Sequence, residues 1–238
     1  MGKIGWSITG SGYFLQETFD IMEKLAKEHA VSCFISSAGE RVVRIYGLRQ
    51  KLSEICPGNY YREVILEAAQ GAAFPLAGRF LRRTYDALIV SPASANTVAK
   101  IIAGITDTLV TNAIAQAEKG GVPIIIVPSD QIGIKKKTKL PYVINREICP
   151  RCEACSIIDL CPTEAIILSD GLPKIDLAKC DGCGICLKEC PYGAVTFGQE
   201  VRVTLRKIDI ENVKMMQKNK NYVLNSPKKI PKTLNKVL

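Results

Sequence analysis

Eight of the ten cysteines in this 238-residue chain fall in two short runs, residues 149–162 and residues 180–191. Thiols at this density either form disulfides or bind metal. The chain opens MGKIGWSITG, where glycines and polar residues interrupt any signal-like apolar stretch. No apolar run reaches the roughly 18 residues that a membrane span needs. We therefore expect a cytoplasmic protein without a membrane association, in which reduced thiols bind metal.

The first three cysteines of each run share the spacing C-x2-C-x2-C. The second run, CDGCGICLKECP, has the form C-x2-C-x2-C-x3-C-P, the pattern by which bacterial ferredoxins hold two [4Fe–4S] clusters. In that pattern three close cysteines bind one cluster and the fourth reaches the other cluster. A structural zinc site normally uses separated cysteine pairs and matches less well. The spacing therefore predicts two ligand sets, one of Cys149, Cys152, Cys155 and Cys190, and one of Cys161, Cys180, Cys183 and Cys186.

The first run departs from this pattern because five residues, rather than three, separate Cys155 from Cys161. We expect a longer loop there, beside the second cluster. The two remaining cysteines are Cys33, inside an apolar run, and Cys56, in a turn. We interpret both thiols as structurally inert.

The first 145 residues alternate between apolar runs typical of buried strands and stretches typical of helices. Strands are expected within KIGWSITG, AVSCFISSAG, YDALIVSPAS and GVPIIIVPSD. Helices are expected within FLQETFDIMEKLAKEH, ERVVRIYGLRQKL and NTVAKIIAGITDTLVTNAIAQAEKG. This order predicts an α/β fold with a Rossmann-like or flavodoxin-like parallel sheet, followed by an α+β ferredoxin domain of the bacterial type.

Each predicted strand ends in small polar residues: TGSG at 9–12, SSAG at 36–39, SPASANT at 91–97 and PSD at 128–130. Sheets of this kind bind ligands beyond the carboxyl ends of their strands. Any one loop could be ordinary turn chemistry, but four together favour a phosphate-bearing ligand. Because Leu15 takes the third glycine position of the G-x-G-x-x-G fingerprint, a mononucleotide is expected rather than NAD.

The segment SPASANTVAKIIAGITDTLVTNA, residues 91–113, closely resembles the P-A-S-A-N-T segment of the homo-oligomeric flavin-containing cysteine decarboxylases. The resemblance implies a Rossmann-like subunit that binds FMN at a trimer interface. By motif match, Ser94, Asn96 and Thr97 would contact the flavin. The full set of cofactor contacts that the loops and the resemblance imply is Thr9, Gly10, Ser11, Gly12, Ser36, Ser37, Ala38, Pro92, Ala93, Ser94, Asn96, Thr97, Thr106 and Asp107.

One departure from these decarboxylases bears on the chemistry. They carry a histidine just before the strand with the hexamer, whereas residues 71–90 here contain none. The single histidine of the chain, His29, ends the first predicted helix, and we interpret it as a helix cap or surface residue. Decarboxylation therefore lacks its proton-handling group and is not expected.

A flavin domain of this family joined to a two-cluster ferredoxin domain resembles the acceptor-dependent dihydromethanopterin reductases and, more loosely, the archaeoflavoproteins. The resemblance implies an oxidoreductase that takes electrons from a low-potential carrier such as ferredoxin. Two [4Fe–4S] clusters would pass them to FMN, which would reduce dihydromethanopterin to tetrahydromethanopterin. The resemblance also implies a homotrimer-based oligomer. The alternative is an electron-transfer flavoprotein without substrate chemistry of its own.

The sequence divides into three expected segments: an FMN-binding domain over 1–145, a ferredoxin domain over 146–198 and a basic extension over 199–238. The extension holds ten Lys or Arg against three Asp or Glu, most of the net charge of +9. It could dock an acidic partner or form a solvated surface. Tyr222 is its sole aromatic residue, so nucleic-acid binding is not expected. Residues 201–213 alternate like a strand, and residues 226–237 are expected to be mobile.

Overall fold

The computed structural model of the chain describes residues 1–132, 137–152, 154–218 and 222–238. The chain forms two compact units. The first unit comprises Met1–Val42, Gln50–Lys136 and Thr204–Leu238, and the second comprises Val43–Arg49 and Lys137–Val203. This division differs from the three expected segments, because the basic extension from Thr204 onward is part of the first unit. None of the helices within the described ranges combines the length and hydropathy that crossing a bilayer requires.

The regular elements are numbered along the chain. The strands are β1 Lys3–Ile8, β2 Ala30–Ile35, β3 Val64–Leu66, β4 Ala87–Ala93, β5 Ile124–Pro128, β6 Lys137–Lys139, β7 Val143–Ile144, β8 Ile166–Ser169, β9 Leu172–Ile175, β10 Val195–Thr196, β11 Glu200–Arg202 and β12 Tyr222–Val223. The helices are α1 Leu15–Ala26, α2 Ser37–Ile45, α3 Arg49–Ile55, α4 Gly78–Leu81, α5 Ala95–Ala103, α6 Leu109–Gly120, α7 Ser156–Asp159, α8 Ile185–Glu189, α9 Lys207–Gln217 and α10 Ile230–Val237.

The first unit is built on a six-stranded parallel sheet in the order β12-β5-β4-β1-β2-β3. Every residue of β2, β4 and β5 is buried, as expected of a parallel sheet that helices cover on both faces. The predicted α/β fold and its four strands are therefore confirmed. The edge strands β3 and β12 were not predicted, because strands of three and two residues carry too little periodicity to be recognised.

Helices pack against this sheet in two groups. Helices α4, α5, α6 and α9 contact one another, and α6 packs on β2 and β5. The apolar core on this side includes Phe34, Phe80, Leu88 and Ile126. Helices α1 and α10 form the second group, and they contact each other and strands of the sheet. Burial of these apolar faces is the main stabilising contribution to such a unit.

Two helices expected from the sequence are each divided into a pair. The helix expected over 40–52 is α2 and α3, with Gly47 between them at φ +69°. The helix expected over 96–120 is α5 and α6: Gly104 ends α5 at φ +70°, and Thr108 caps α6 by accepting the N–H of Thr111. Left-handed backbone is favourable for glycine and ends an α-helix. The apolar spacing continues on both sides of each glycine, which conceals the break.

The basic extension is folded, and two expectations for it were wrong. Beyond Arg202 the expected strand over 201–213 is replaced by α9, whose Val213 and Met216 join the core of the first unit. Residues 226–237, expected to be mobile, form a short 3-10 turn and α10, in which Ile230 and Leu234 are fully buried. These two apolar residues lie four positions apart on one helix face, while the many lysines of the segment occupy the exposed face.

The second unit consists of short antiparallel pairs, β8 with β9, β7 with β10 and β6 with β11. Its apolar core is small: Ile144, Ile157, Ile166 and Val195 pack among cysteine side chains. A core of this size is characteristic of small domains that a bound metal stabilises. The two helical turns α7 and α8 pack against each other beside this core.

We predict that Leu234→Ala destabilises the first unit, because the leucine is fully buried where α10 packs. The expected loss is about 2–5 kcal/mol of unfolding free energy. Urea unfolding followed by the fluorescence of Trp6, the chain's single tryptophan and fully buried in β1, measures it. The exposed neighbour provides the control, since Asn235→Ala should change the free energy by less than about 0.5 kcal/mol. Equal, small effects of both variants would show that α10 does not pack on the sheet.

Candidate functional site

The strand order reverses between β1 and β4, and such a switch point leaves a crevice beyond the carboxyl ends of the two strands. From β1 the chain continues to β2 and β3 on one side, and it then returns to β4 on the other side of β1. The connections that leave these two adjacent strands therefore diverge. Open α/β sheets bind their ligands at such a switch point. The predicted loops at 9–12 and 91–97 lie at the ends of these two strands.

Thr9 joins the two loops at the crevice. Its buried hydroxyl donates to the carbonyl oxygen of Pro92 at 2.7 Å and accepts the N–H of Ser94 at 2.8 Å. Ser94 in turn caps α5, because its Oγ accepts the N–H of Thr97 at 3.4 Å. Side-chain capping of this kind satisfies a free N–H group at the helix start. Two hydroxyl side chains thus fix where α5 begins relative to β1.

The loops after β1 and β2 are in close contact, and glycine permits this. A Cβ atom at Gly10 would lie 2.7 Å from the Cβ of Ala38, and one at Gly39 would lie 2.4 Å from the carbonyl oxygen of Ile8. Ser36 completes the contact, since its Oγ accepts the N–H of Gly39 at 3.0 Å and donates to Ile8. The backbone of these two loops therefore forms a compact base at this edge of the sheet.

Glu67 is a residue of this edge that the sequence interpretation missed. One carboxylate oxygen accepts the N–H and the hydroxyl of Ser37, at 3.2 and 2.7 Å. The other oxygen accepts the N–H of Leu109, at the start of α6, at 2.8 Å. Glu67 directly follows β3, so it lies at a fifth strand end. Prediction of the short strand Val64–Leu66 would have drawn attention to it.

The remaining predicted contacts differ in exposure. Ser11 and Gly12 are half-buried, whereas Ser37, Ala38 and Asn96 are exposed. Thr106 and Asp107 lie on the exposed turn between α5 and α6, and Lys100 holds this turn through a 2.8 Å ion pair with Asp107. The hydrogen bond from Lys100 lowers the pKa of Asp107. Exposed hydroxyl, amide and backbone donors above a compact glycine base are a suitable set for the phosphate and ribityl groups of FMN.

His29 lies at the opposite end of the sheet from this crevice. Its Nδ1 accepts the N–H of Gly2, at 3.1 Å, just before β1 begins. The interpretation as a residue outside the reacting centre is consistent with this position. Cys33 and Cys56 are also remote from any cluster ligand set in sequence and are buried in the first unit. Burial raises the pKa of Cys56 to about 12 and raises that of Cys33 well above its usual value, so both thiols stay protonated.

In the second unit, eight cysteines line two separate cavities. One cavity is lined by four thiols: Cys149, Cys152, Cys155 and Cys190. The other is lined by Cys161, Cys180, Cys183 and Cys186. These are the same two groups that the spacing predicts, including the exchange of the fourth cysteine. In the described part of the chain, no group of three His, Cys, Asp or Glu side chains is close enough together to hold a single metal ion. Four thiols around each cavity are the donor set that a [4Fe–4S] cluster requires.

The thiols of the second cavity interact strongly with nearby backbone. The N–H of Ala165 donates to the Sγ of Cys161 at 3.3 Å. Burial alone would raise the pKa of Cys161, but the N–H groups of Thr163, Ala165 and Ile166 together lower it. Burial and the neighbouring thiols raise the pKa of Cys186 to about 11. A cluster bound here would relieve this crowding, because metal coordination removes the thiol protons and neutralises the thiolate charge.

The two extra residues between Cys155 and Cys161 form part of a helical turn. Four of the five residues that separate these cysteines are α7, Ser156–Asp159. The expected longer connection is therefore present, but it is a helical turn rather than an open loop. Ile157, within this turn, is buried in the core of the second unit. The insertion thus gives this small core one additional apolar side chain.

Comparison with known proteins identifies the family. The family model described as Flavoprotein matches residues 2–142, and a model described as 4Fe-4S binding domain matches residues 172–195. A protein of Methanosarcina mazei named dihydromethanopterin reductase (acceptor) is 44% identical over 233 residues, which are 96% of this chain and 97% of the relative. A protein of the same name from Methanocaldococcus jannaschii is 46% identical and covers 96% and 94%. The chain belongs to the dihydromethanopterin reductase (acceptor) family.

Membership of this family confirms the predicted resemblance and makes the chain an iron–sulfur flavoprotein. The 4Fe-4S model covers the second cysteine run and not the first, so it accounts for a cluster domain without counting its clusters. Among solved structures, Burkholderia xenovorans DmrB in complex with FMN, described as a cubic protein cage for redox transfer, has the same fold. It matches with a TM-score of 0.61 and 21% identity, over 99% of this chain and 94% of DmrB.

We predict that Thr9→Val weakens FMN binding, because it removes the hydroxyl that holds Pro92 and Ser94 together. Loss of these two hydrogen bonds should also cost about 1–3 kcal/mol of unfolding free energy. Titration of the FMN-free protein with FMN, followed by flavin fluorescence, measures the affinity. Thr9→Ser retains the hydroxyl and should bind FMN nearly as well as the unmodified chain. Unchanged affinity of the valine variant would contradict the role given to Thr9.

Proposed function

We propose that the chain is an oxidoreductase that passes electrons from an external low-potential carrier, through two [4Fe–4S] clusters, to FMN, and thereby reduces dihydromethanopterin to tetrahydromethanopterin. The observation that carries this proposal is the presence, in one chain, of a switch-point crevice and of two cavities lined by four thiols each. The relatives from Methanosarcina mazei and Methanocaldococcus jannaschii match almost the whole chain and are named for this reaction, which supports the pterin as substrate.

The second unit would hold the clusters through the two thiol sets. When bound, clusters supply one-electron carriers of low potential, and FMN collects two electrons and delivers a hydride. The protein positions three thiols of each set on one tight loop and brings the fourth from the other run. The N–H of Ala165, which donates to Cys161, stabilises negative charge on that sulfur.

The first unit would hold the flavin at the β1–β4 crevice. We assign direct contacts to Ser94, Asn96 and Thr97, at the capped start of α5. The loops at 9–12 and 36–38 would supply supporting donors, and Glu67 orders the second of these through Ser37. For the reaction, the chain must leave one face of the flavin open to the pterin, to whose C=N bond a hydride and a proton are added. It must exclude water from the remainder of the ring.

We further propose a homotrimer-based oligomer in the cytoplasm. Asn96, Thr106 and Asp107 are exposed on the single chain, so a neighbouring subunit is needed to enclose a flavin beside them. The description of Burkholderia xenovorans DmrB as a protein cage supports an assembly of this kind. Reduced cysteine ligands suit the cytoplasm. The electron donor would be a low-potential carrier such as a ferredoxin.

We predict that serine substitutions damage the two clusters in the groups given by the cavities. Cys161→Ser and Cys183→Ser should alter the electron paramagnetic resonance (EPR) signal of one cluster, and Cys152→Ser and Cys190→Ser that of the other. Iron analysis of each anaerobically prepared variant accompanies the spectra. Cys33→Ser is the control and should leave both signals and the iron content unchanged. If Cys161→Ser damages the same cluster as Cys152→Ser, the exchange of fourth ligands is wrong.

We predict that dihydromethanopterin reoxidises the chemically reduced protein. The protein is reduced anaerobically, freed of excess reductant and mixed with the pterin, and the return of oxidised flavin absorbance is followed together with tetrahydromethanopterin formation. Protein depleted of FMN is the control and should form no product, since hydride delivery needs the flavin. If the protein stays reduced with the pterin yet is rapidly oxidised by a one-electron acceptor, it is an electron-transfer flavoprotein rather than a reductase.

A further inference from the structure

The second unit includes a segment from far away in the sequence. Residues Val43–Arg49, which contain the turn between α2 and α3, belong to it, although more than 80 residues separate them from Lys137. Ile45 is buried in a cluster with Ala165 and Cys180, and Tyr46 donates its hydroxyl to the carbonyl oxygen of Lys139 at 2.5 Å. This segment therefore packs on the part of the unit that carries the thiols of the second cavity.

The closest contact is between two glycines. A Cβ atom at Gly182, which has φ +72°, would lie 2.4 Å from the backbone nitrogen of Gly47 and 2.6 Å from the carbonyl oxygen of Arg44. Conversely, a Cβ at Gly47 would lie 2.7 Å from the carbonyl oxygen of Gly182. Gly182 lies between Cys180 and Cys183. Burial raises the pKa of Cys180, and the N–H of Gly182 partly opposes this rise. The segment thus presses directly on the backbone that surrounds two of the thiols.

Arg44 brings a positive charge to this contact. Its Nη2 donates to the carbonyl oxygen of Ala178 at 2.6 Å, and its Nε is buried without a hydrogen-bond partner among the described residues. Ala178 is two residues from Cys180, at most about 7 Å along an extended chain. An arginine side chain remains charged at every relevant pH. The guanidinium is therefore held beside the loop of the second cavity by a charge-assisted hydrogen bond.

The nearest opposing charge that lines the cavity is Asp181. Its carboxylate accepts the N–H of Cys183 at 3.1 Å. Asp176 is also close, and its carboxylate accepts the N–H of Ala178 at 2.8 Å. In contrast, the described residues that line the first cavity, around Cys149, carry no charged side chain. Asp181 therefore lines the second cavity itself, and Arg44 is a charge of opposite sign beside its loop, so the effects of the two charges on a bound cluster can be separated.

We propose that Arg44 is a positioning residue that raises the reduction potential of the cluster held by Cys161, Cys180, Cys183 and Cys186. This inference rests on the proposed ligand set. Gain of one electron makes the cluster one charge more negative, and a nearby positive charge stabilises that form more than the oxidised form. Asp181 acts in the opposite direction. Arg44, at the end of α2, would thereby make the reduction potentials of the two clusters differ.

The test is an anaerobic redox titration, monitored by EPR, of full-length protein in which each cluster is quantified. Arg44→Gln keeps a donor for Ala178 but loses the charge, and it should move the midpoint potential of one cluster to more negative values. Asp181→Asn keeps an acceptor for Cys183 and should move the same midpoint to more positive values. Arg44→Lys retains the charge and should stay nearer the unmodified protein than Arg44→Gln. Arg202→Gln, at an exposed position of the same unit whose chain neighbours line neither cavity, should leave both midpoints unchanged.

The affected cluster is identified in two backgrounds. With Cys152→Ala, which removes a ligand of the other cluster, the shift caused by Arg44→Gln should persist; with Cys183→Ala it should disappear. Unchanged midpoints in Arg44→Gln with full iron content would overturn the inference, as would equal shifts in Arg44→Gln and Arg44→Lys, which indicate packing rather than charge. If Arg44→Gln loses the cluster, Arg44→Met takes its place as the uncharged variant, and a midpoint no more negative than that of Arg44→Lys would overturn the inference. If the unmodified protein binds no iron, the proposed function itself is refuted.

Discussion

Each of the two cysteine-lined cavities takes its fourth thiol from the opposite run. Cys190 completes the cavity of Cys149, Cys152 and Cys155, while Cys161 completes that of the second run. Neither cavity is lined by the thiols of one run alone, so the two runs must fold together for either cavity to form. The unit around them has a small apolar core of a few aliphatic side chains. Binding of the proposed clusters would therefore be coupled to the folding of this unit, as in other small metal-dependent domains.

The flavoprotein unit is stabilised differently. Its parallel sheet is buried between helices, so apolar burial holds it together and leaves the loops at the strand ends available for a ligand. Hydrogen bonds from Thr9 and Glu67 then fix these loops to one another. The basic extension adds to the same unit through α9, α10 and the edge strand β12.

The predictable features are those that depend on local spacing. The four long strands have continuous apolar runs, and the grouping of thiols follows from the cysteine intervals. Features that depend on tertiary contact escaped prediction. Gly47 and Gly104 break helices because the chain must turn there, and α10 folds because Ile230 and Leu234 find a surface to cover. Glu67 and Arg44 act on loops about 40 and 134 residues away along the chain, and no local pattern marks such partners.

The central claim is that one chain holds two one-electron clusters together with one two-electron flavin. An anaerobic reductive titration of the reconstituted protein, followed by visible absorbance and normalised to protein concentration, tests it most directly. The account predicts uptake of about four electrons per chain, one for each cluster and two for the flavin. An uptake of about two electrons, in which the flavin absorbance is lost but no iron–sulfur absorbance is lost, would contradict it.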